Sequence, residues 1–245
     1  MKKIYYFKEK KMKISKKNVF MDPWEIDDEN PVKKKCYYIC ISGNSGSGKS
    51  SLLKKISKDL FEKDEYTIAI DEKSLHHPFI PTLFFNTADY GFQIQVNFML
   101  QRTLIVKRWL GIGYNVIMER GHFEDPIFID HLQQMGYIND KEYNAYMNLW
   151  DCLDKKIRQP DLILFSNIPP EISIKRVGDD EKAGRRPYEF PDEKTKETWI
   201  RSWHKFYIRR FKELSNSPLS KRIIELTEKS NKDNISKIVF EKLGI

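Results

Sequence analysis

The sequence predicts an α/β protein: a parallel five-stranded sheet covered by helices on both faces. Three observations carry that expectation. Short apolar runs alternate with longer stretches of helical period, the pattern of strands joined by crossover helices. A glycine-rich segment, GNSGSGKSS from Gly43 to Ser51, stands between an apolar run and a helical one. Acidic residues close two further apolar runs, and in such a fold the C-terminal strand ends are where ligands sit.

The elements follow in order. Residues 37–42 read as a buried strand, and Ser50 to Leu60 as a helix with Leu52, Leu53, Ile56 and Leu60 on one side. TIAI, residues 67–70, is a second strand closed by Asp71-Glu72. Residues 73–91, with Pro78, Pro81 and Gly91, read as loop; a long apolar helix from Phe92 to Leu110 follows, ended by Gly111 and Gly113. NVIM, residues 115–118, is the third strand, followed by Glu119-Arg120 and by helical period over 127–135 and 141–158. DLILF, residues 161–165, is the fourth strand, and Pro169-Pro170 open a helix containing Ile172 and Ile174. A polar, glycine-bearing segment spans 178–192, an amphipathic helix 193–215, a last strand 222–226 and a final helix 231–243. Residues 1–35 read as an extension, because Lys/Glu runs and DPWEIDDENP interrupt any period; the domain is expected over 36–245.

Composition narrows the class. A chain of 245 residues suits one α/β domain. No run reaches the roughly 20 apolar residues of a membrane span. The formal charge of +8 comes without a repeat, a Cys/His metal pattern or an Arg/Gly-rich tail, so neither a nucleic-acid nor a membrane partner is expected; much of the lysine reads as solvated surface. Cys36, Cys40 and Cys152 suit a reducing compartment without disulfides or structural zinc. The N-terminus lacks the apolar core of a signal peptide. Residues 1–20 also lack arginine and are followed by Asp22, Glu25, Asp27, Asp28 and Glu29, which favours the cytoplasm over a transit peptide.

Gly43-x-x-x-x-Gly48-Lys49-Ser50 matches the phosphate-loop signature at every fixed position, with a strand before and a helix after. Backbone N–H groups of Gly43, Asn44, Ser45, Gly46, Ser47 and Gly48 can turn inward, and the helix N-terminus through Ser51 adds partial positive charge. Lys49 is placed to reach the outer phosphates and Ser50 to ligate Mg²⁺. This implies ATP or GTP without naming the acceptor.

The acceptor side lies in the two acidic strand ends. A hydroxyl acceptor needs a carboxylate to take its proton and cations over the migrating charge. Glu72 and Arg120 can supply these, and Glu119 can hold the hydration shell of Mg²⁺. Gln95 and Arg102 are seven residues apart on one helix face, among apolar neighbours. A Gln amide can pair with a base edge, and Arg102 with Asp125 can form an ion pair extending that polar edge.

Taken together, the chain resembles the deoxynucleoside kinase family, the group of deoxycytidine, deoxyguanosine and deoxyadenosine kinases. The phosphate loop, the Glu after strand two, F-x-x-Q in FQIQ, the Glu-Arg of MERGHFED, the segment GYINDKEYNAYMNLWDCL and a lid like GRRPYE carry the resemblance over residues 36 to 243. It implies a P-loop kinase fold with a short arginine-bearing lid and transfer of the γ-phosphoryl of ATP to a deoxynucleoside 5′-hydroxyl. Glu72 then matches the general base, Arg120 the arginine near the 5′-hydroxyl, Gln95 the base-reading glutamine, and Arg102 with Asp125 the pair beside it. Phe123 or Phe128 is expected to stack on the base. Arg176, Arg185 and Arg186 match lid cations closing over ATP, with Arg186 and Lys49 in the catalytic set, and Glu189 matches the glutamate on the sugar 3′-hydroxyl. The family commonly forms homodimers through the helices read here at 92–110 and 142–158.

The departures bear on specificity. Gly121 stands where the family has serine, Lys73 where it has proline, His77 where it has tryptophan, and Phe84 where it has a sugar-binding tyrosine; the stretch from Arg176 to the lid arginines is longer. Deoxyadenosine, deoxycytidine or deoxyguanosine is expected over thymidine, whose methyl would meet charged side chains. The alternatives are a nucleoside-monophosphate kinase such as a thymidylate kinase, a ribonucleoside kinase, or a noncatalytic nucleotide-binding protein of the same fold.

Overall fold

The computed structural model describes residues 35–72, 80–231 and 234–245. Apart from Lys35, the expected N-terminal extension lies outside these residues, as do Lys73 and His77. Five strands form one sheet: β1 Tyr38–Gly43, β2 Thr67–Ile70, β3 Asn115–Glu119, β4 Leu162–Ser166 and β5 Ile223–Leu226. Every pairing is parallel, in the order β2-β3-β1-β4-β5.

The period-2 alternation of β1 divides the core. Tyr38 and Cys40 point into one cluster, Ile39 and Ile41 into the other. The second cluster is closed by α1 (Lys49–Lys63) and α8 (Ile235–Leu243), through Leu52, Ile56, Leu60, Val239 and Phe240. The first is closed by α3 (Thr87–Gly111), α4 (Asp125–Gln134) and α7 (Glu193–Ser215), whose Phe98, Met99, Phe128, Trp199, Trp203 and Tyr207 are buried there. Helix α5 (Asp140–Asp154) packs outside, with Tyr146 as its one buried residue. No described helix is long and apolar enough to cross a membrane.

Several boundaries differ from the sequence reading; the final helix, expected from 231, begins at Ile235. Residues 73–91 are not all loop: α2 (Ile80–Phe85) precedes α3, which begins at Thr87. Gly91 therefore lies inside a helix. A Cβ there would stand 3.2 Å from Leu132, so the glycine lets α3 approach α4. The polar segment 178–192 also begins as helix, since α6 spans Pro170–Lys182 and leaves residues 183–192 as the connection to α7. Finally, the helix expected over 141–158 stops at Asp154.

The sheet order positions the site. The chain leaves β1 toward β2, whereas it leaves the neighbouring β4 toward β5. A crevice opens where adjacent connections diverge, at the C-terminal strand ends.

Candidate active site

The segment between β1 and α1 fills that crevice. Gly46 has φ +71, and a Cβ there would lie 2.4 Å from the Ser173 carbonyl oxygen, so only glycine lets the loop pass α6. The Asn44 side chain donates to Ile200 O at 2.7 Å and accepts from Ser45 N at 2.8 Å. Ser166 Oγ donates to Ser47 O at 2.8 Å. Gly43, Asn44 and Ser47 thus shape the loop, while Ser45, Gly46, Gly48, Lys49, Ser50 and Ser51 line a cleft of about 680 Å³. Lys49 Nζ donates to Asn44 O at 2.9 Å. Burial, with Arg120 next in weight, pulls its ammonium from the ordinary 10.5 down to about 8.

Glu119 ends β3 facing this loop. Burial pushes its pKa up, against the lowering pull of Lys49 and Ser50. Its Oε1 is buried with no hydrogen-bond partner. A serine hydroxyl and an under-satisfied carboxylate beside a phosphate loop fit Mg²⁺, which takes few protein ligands and keeps several waters.

Glu72, just past β2, meets Arg120 across the cleft, with Arg120 Nε donating to Glu72 Oε1 at 2.5 Å. Arg120 has φ 61, the one positive φ outside glycine among the described residues. Such backbone strain persists where surrounding contacts over-determine it. Here they do: the guanidinium donates to the Tyr207 hydroxyl, lies 3.7 Å from Glu124 Oε2, and stands 4.8 Å above the Phe128 ring. Tyr207 in turn donates to Glu124 Oε2 at 2.8 Å. Burial opposes charge on Arg120, but Glu72, Tyr207 and Glu124 outweigh it and raise its pKa. Gly121 follows with no room for a side chain: a Cβ would meet the Phe123 ring at 2.4 Å and Cys40 Sγ at 2.9 Å. A serine there would require the core to shift.

The opposite wall is polar at its edge and aromatic around it. Gln95 and Arg102 both line the cleft from α3, at 5% and 2% exposure, and are not a surface pair. Arg102 donates to Asp125, which is wholly buried behind it and does not line the cleft. Burial works against charge on both partners: it pushes the Asp125 carboxyl up, against the pull of Arg102, and it opposes the Arg102 charge, which Asp125 and Glu72 help raise. Leu83, Phe84, Phe98, Phe128 and Trp203 supply the apolar surface. Of the two expected stacking rings, Phe128 is therefore in the cleft. Phe123 is not: it packs in the core with its ring 6.4 Å from Phe211. Phe84 lies against Phe190 at 4.4 Å and against Trp199 at 5.1 Å.

The residues expected in the lid also reach the cleft. Arg176, Arg185, Arg186 and Glu189 line the cleft, and Arg176 Nη1 and Arg186 Nε are buried without hydrogen-bond partners. Arg186 pairs with Glu189, and Arg185 Nε donates to Asp180 Oδ1 at 2.8 Å. Two cleft neighbours were not legible in sequence. Tyr207 sits among Trp199, Trp203 and Phe211 on an apolar helix face, where a tyrosine reads as core. Glu124 precedes Asp125-Pro126 and reads as an ordinary helix start.

Comparison with known proteins gives the family and the fold. A family model described as deoxynucleoside kinase matches residues 39–243. The deoxyadenosine kinase of Dictyostelium discoideum is 28% identical over 140 residues, 57% of this chain and 55% of that protein. The deoxyadenosine/deoxycytidine kinase of Bacillus subtilis (strain 168) is 24% identical over 150 residues, 60% of this chain and 65% of that one. The matched region thus spans less than two thirds of either relative. Among solved structures, deoxyadenosine kinase from M. mycoides with bound dCTP superposes with a TM-score of 0.63 at 18% identity, covering 84% of this chain and 98% of that one. The same enzyme with the products dCMP and a flexible dCDP gives 0.65 at the same identity and coverage. At that identity the likeness bears on the fold alone.

Proposed function

The chain belongs to the deoxynucleoside kinase family, and from that premise we propose that it transfers the γ-phosphoryl group of ATP to the 5′-hydroxyl of a deoxynucleoside, with deoxyadenosine, deoxycytidine or deoxyguanosine favoured over thymidine. One observation carries the reading. The Glu72–Arg120 pair, Gln95 and Arg102 line one cleft together with the phosphate loop, and Asp125 is buried behind Arg102. That layout suits a base, a hydroxyl and a phosphate chain in a single site.

In this reading Glu72 removes the 5′-hydroxyl proton while Arg120, already charged and held by Tyr207 and Glu124, faces the migrating phosphoryl group. Lys49 and the loop amides hold the outer phosphates, and Arg176, Arg185 and Arg186 offset charge on the equatorial oxygens. Ser50 and Glu119 would hold Mg²⁺, which supplies charge neutralisation between the outer phosphates. Gln95 pairs with an amino group and ring acceptor of the base, as adenine and cytosine present, and Arg102–Asp125 extend to guanine. A thymine methyl would strip solvation from that edge without replacing a hydrogen bond. Glu189, which lines the cleft, would accept from the sugar 3′-hydroxyl, and Phe84 would supply apolar contact only.

A homodimer through α3 and α5 is part of the proposal. It is supported by the exposed Leu100 and Leu104 on α3 and Leu149 on α5, and a protomer mass by light scattering at micromolar protein would remove it.

The decisive measurement is an ATP–Mg²⁺ competition among the four deoxynucleosides, their ribose counterparts and their monophosphates. The expected product is a deoxynucleoside 5′-monophosphate, with kcat/KM for thymidine at least about tenfold lower, roughly 1.4 kcal/mol of differential transition-state binding. Thymidine in first place would overturn the pocket argument. Turnover of monophosphates alone would make the chain a monophosphate kinase. ATP binding without acceptor-dependent ADP release would end the catalytic reading.

A further inference from the structure

The ten-residue connection from α6 to α7 carries Arg185, Arg186 and Glu189 over the cleft. Its first part is tied to the last turn of α6: the backbone N–H groups of Arg185 and Arg186 donate to Asp180 O at 2.9 and 3.2 Å, and Asp180 Oδ1 also accepts from Arg185 Nε. What holds that turn is the next residue. Glu181 is buried, and its Oε2 accepts from Lys196 Nζ at 2.6 Å. Lys196 lies in the first turn of α7 and is 2% exposed, and it also reaches Glu193 Oε1 at 2.7 Å. A Cβ built on Gly178 would be 4.0 Å from the ammonium, so the helix backbone passes beside it.

We propose that Lys196 is a positioning residue for the phosphate-donor side: by clasping Glu181 it fixes the end of α6 against the start of α7, and so sets Arg185 and Arg186 over the cleft. Lys196 is absent from the cleft lining and acts only through these partners. A loop whose roots are held at one separation has fewer conformations to lose when its arginines engage a ligand. The inference rests on reading those arginines as the cations facing ATP.

The test compares wild type with K196M, K196R and E181Q in the full chain, by ATP and deoxynucleoside kinetics and by trypsin cleavage after Lys182 and Arg185. K196M is expected to raise KM for ATP about tenfold, as for a misplaced positioning group, to leave KM for the deoxynucleoside within about twofold, and to speed cleavage in the connection. K196R is expected to recover most of both. A folded K196M with wild-type ATP KM and wild-type cleavage overturns the proposal, as does an equal rise in both KM values accompanied only by lost thermal stability. Should K196M fail to fold by circular dichroism, E181Q keeps the shape of the site and is judged by the same two outcomes. A wild-type protein without phosphoryl transfer would sink the kinase reading instead, while the cleavage pattern and ATP binding by calorimetry still report on the clasp.

Discussion

Arg102 on α3 and Asp125 at the start of α4 form an ion pair, 23 residues apart in the chain, in which Asp125 is sealed from solvent and Arg102 meets it only at the cleft wall. Removing one partner leaves the other charge buried and unpaired. D125N should therefore destabilise the fold by about 3–5 kcal/mol in urea titration. A double variant, R102L/D125L, should recover most of that loss and narrow the deoxyadenosine-to-thymidine ratio of kcat/KM. A double variant with unchanged selectivity would show that the pair does not read the base.

Glu72 lies 2.5 Å from Arg120 and lines the cleft beside it. E72Q keeps the shape and a hydrogen bond but cannot take a proton. We expect kcat to fall about 10²-fold or more, with ATP affinity by calorimetry unchanged. A near-normal kcat at saturating deoxynucleoside would reject Glu72 as the base.

Y207F removes the hydroxyl between Arg120 and Glu124. The ring stays packed, but two hydrogen bonds to charged groups are lost, so stability should fall by about 1.5–3 kcal/mol. Separately, kcat should fall about tenfold from a displaced guanidinium, with KM for ATP little changed. Lost stability with an unchanged kcat would mean that Tyr207 is core alone.

Lys49 is held below its ordinary pKa in the cleft, at about 8 instead of 10.5. At neutral pH its buried charge works against folding. K49M should be more stable than wild type at pH 7 while losing phosphoryl transfer. Between about pH 8 and 10.5 the unfolded chain keeps a proton that the folded chain has released, so wild-type stability rises with pH there. The advantage of K49M should shrink across that window in denaturant titrations. A constant difference would show that Lys49 remains charged in the fold.

His131 is buried with its ring 4.5 Å from Trp199, and its Nδ1 is 2.9 Å from Ser202 Oγ. Burial lowers its pKa from 6.5 to about 4. The folded state holds the ring neutral, so its contribution is complete above pH 6.5 and is lost as pH falls toward about 4. H131Q should flatten that acid limb in thermal melts between those values. An identical limb would assign the acid loss to other groups.

Much of the frame is local and was legible in residue order. All five strands and the helix over 193–215 follow from period alone, because a strand's two faces and a helix's apolar stripe are written within a few neighbours. The phosphate loop was legible for the same reason: its glycines, Lys49 and Ser50 form one contiguous turn. The positions of Glu72, Arg120, Gln95 and Arg102 at strand ends and on one helix face also followed from pattern. Tertiary structure decided what these residues touch. Tyr207 reaches Arg120 across 87 positions, Lys196 closes on Glu181 across 15, and Gly121 is required by Phe123 and Cys40 from different elements. The sequence offered Phe123 and Phe128 alike as the stacking ring, and it could not tell which of them lines the cleft. That choice depends on which helices meet over β1 and β3, and no local interval in the chain encodes the meeting of surfaces that the fold alone brings together.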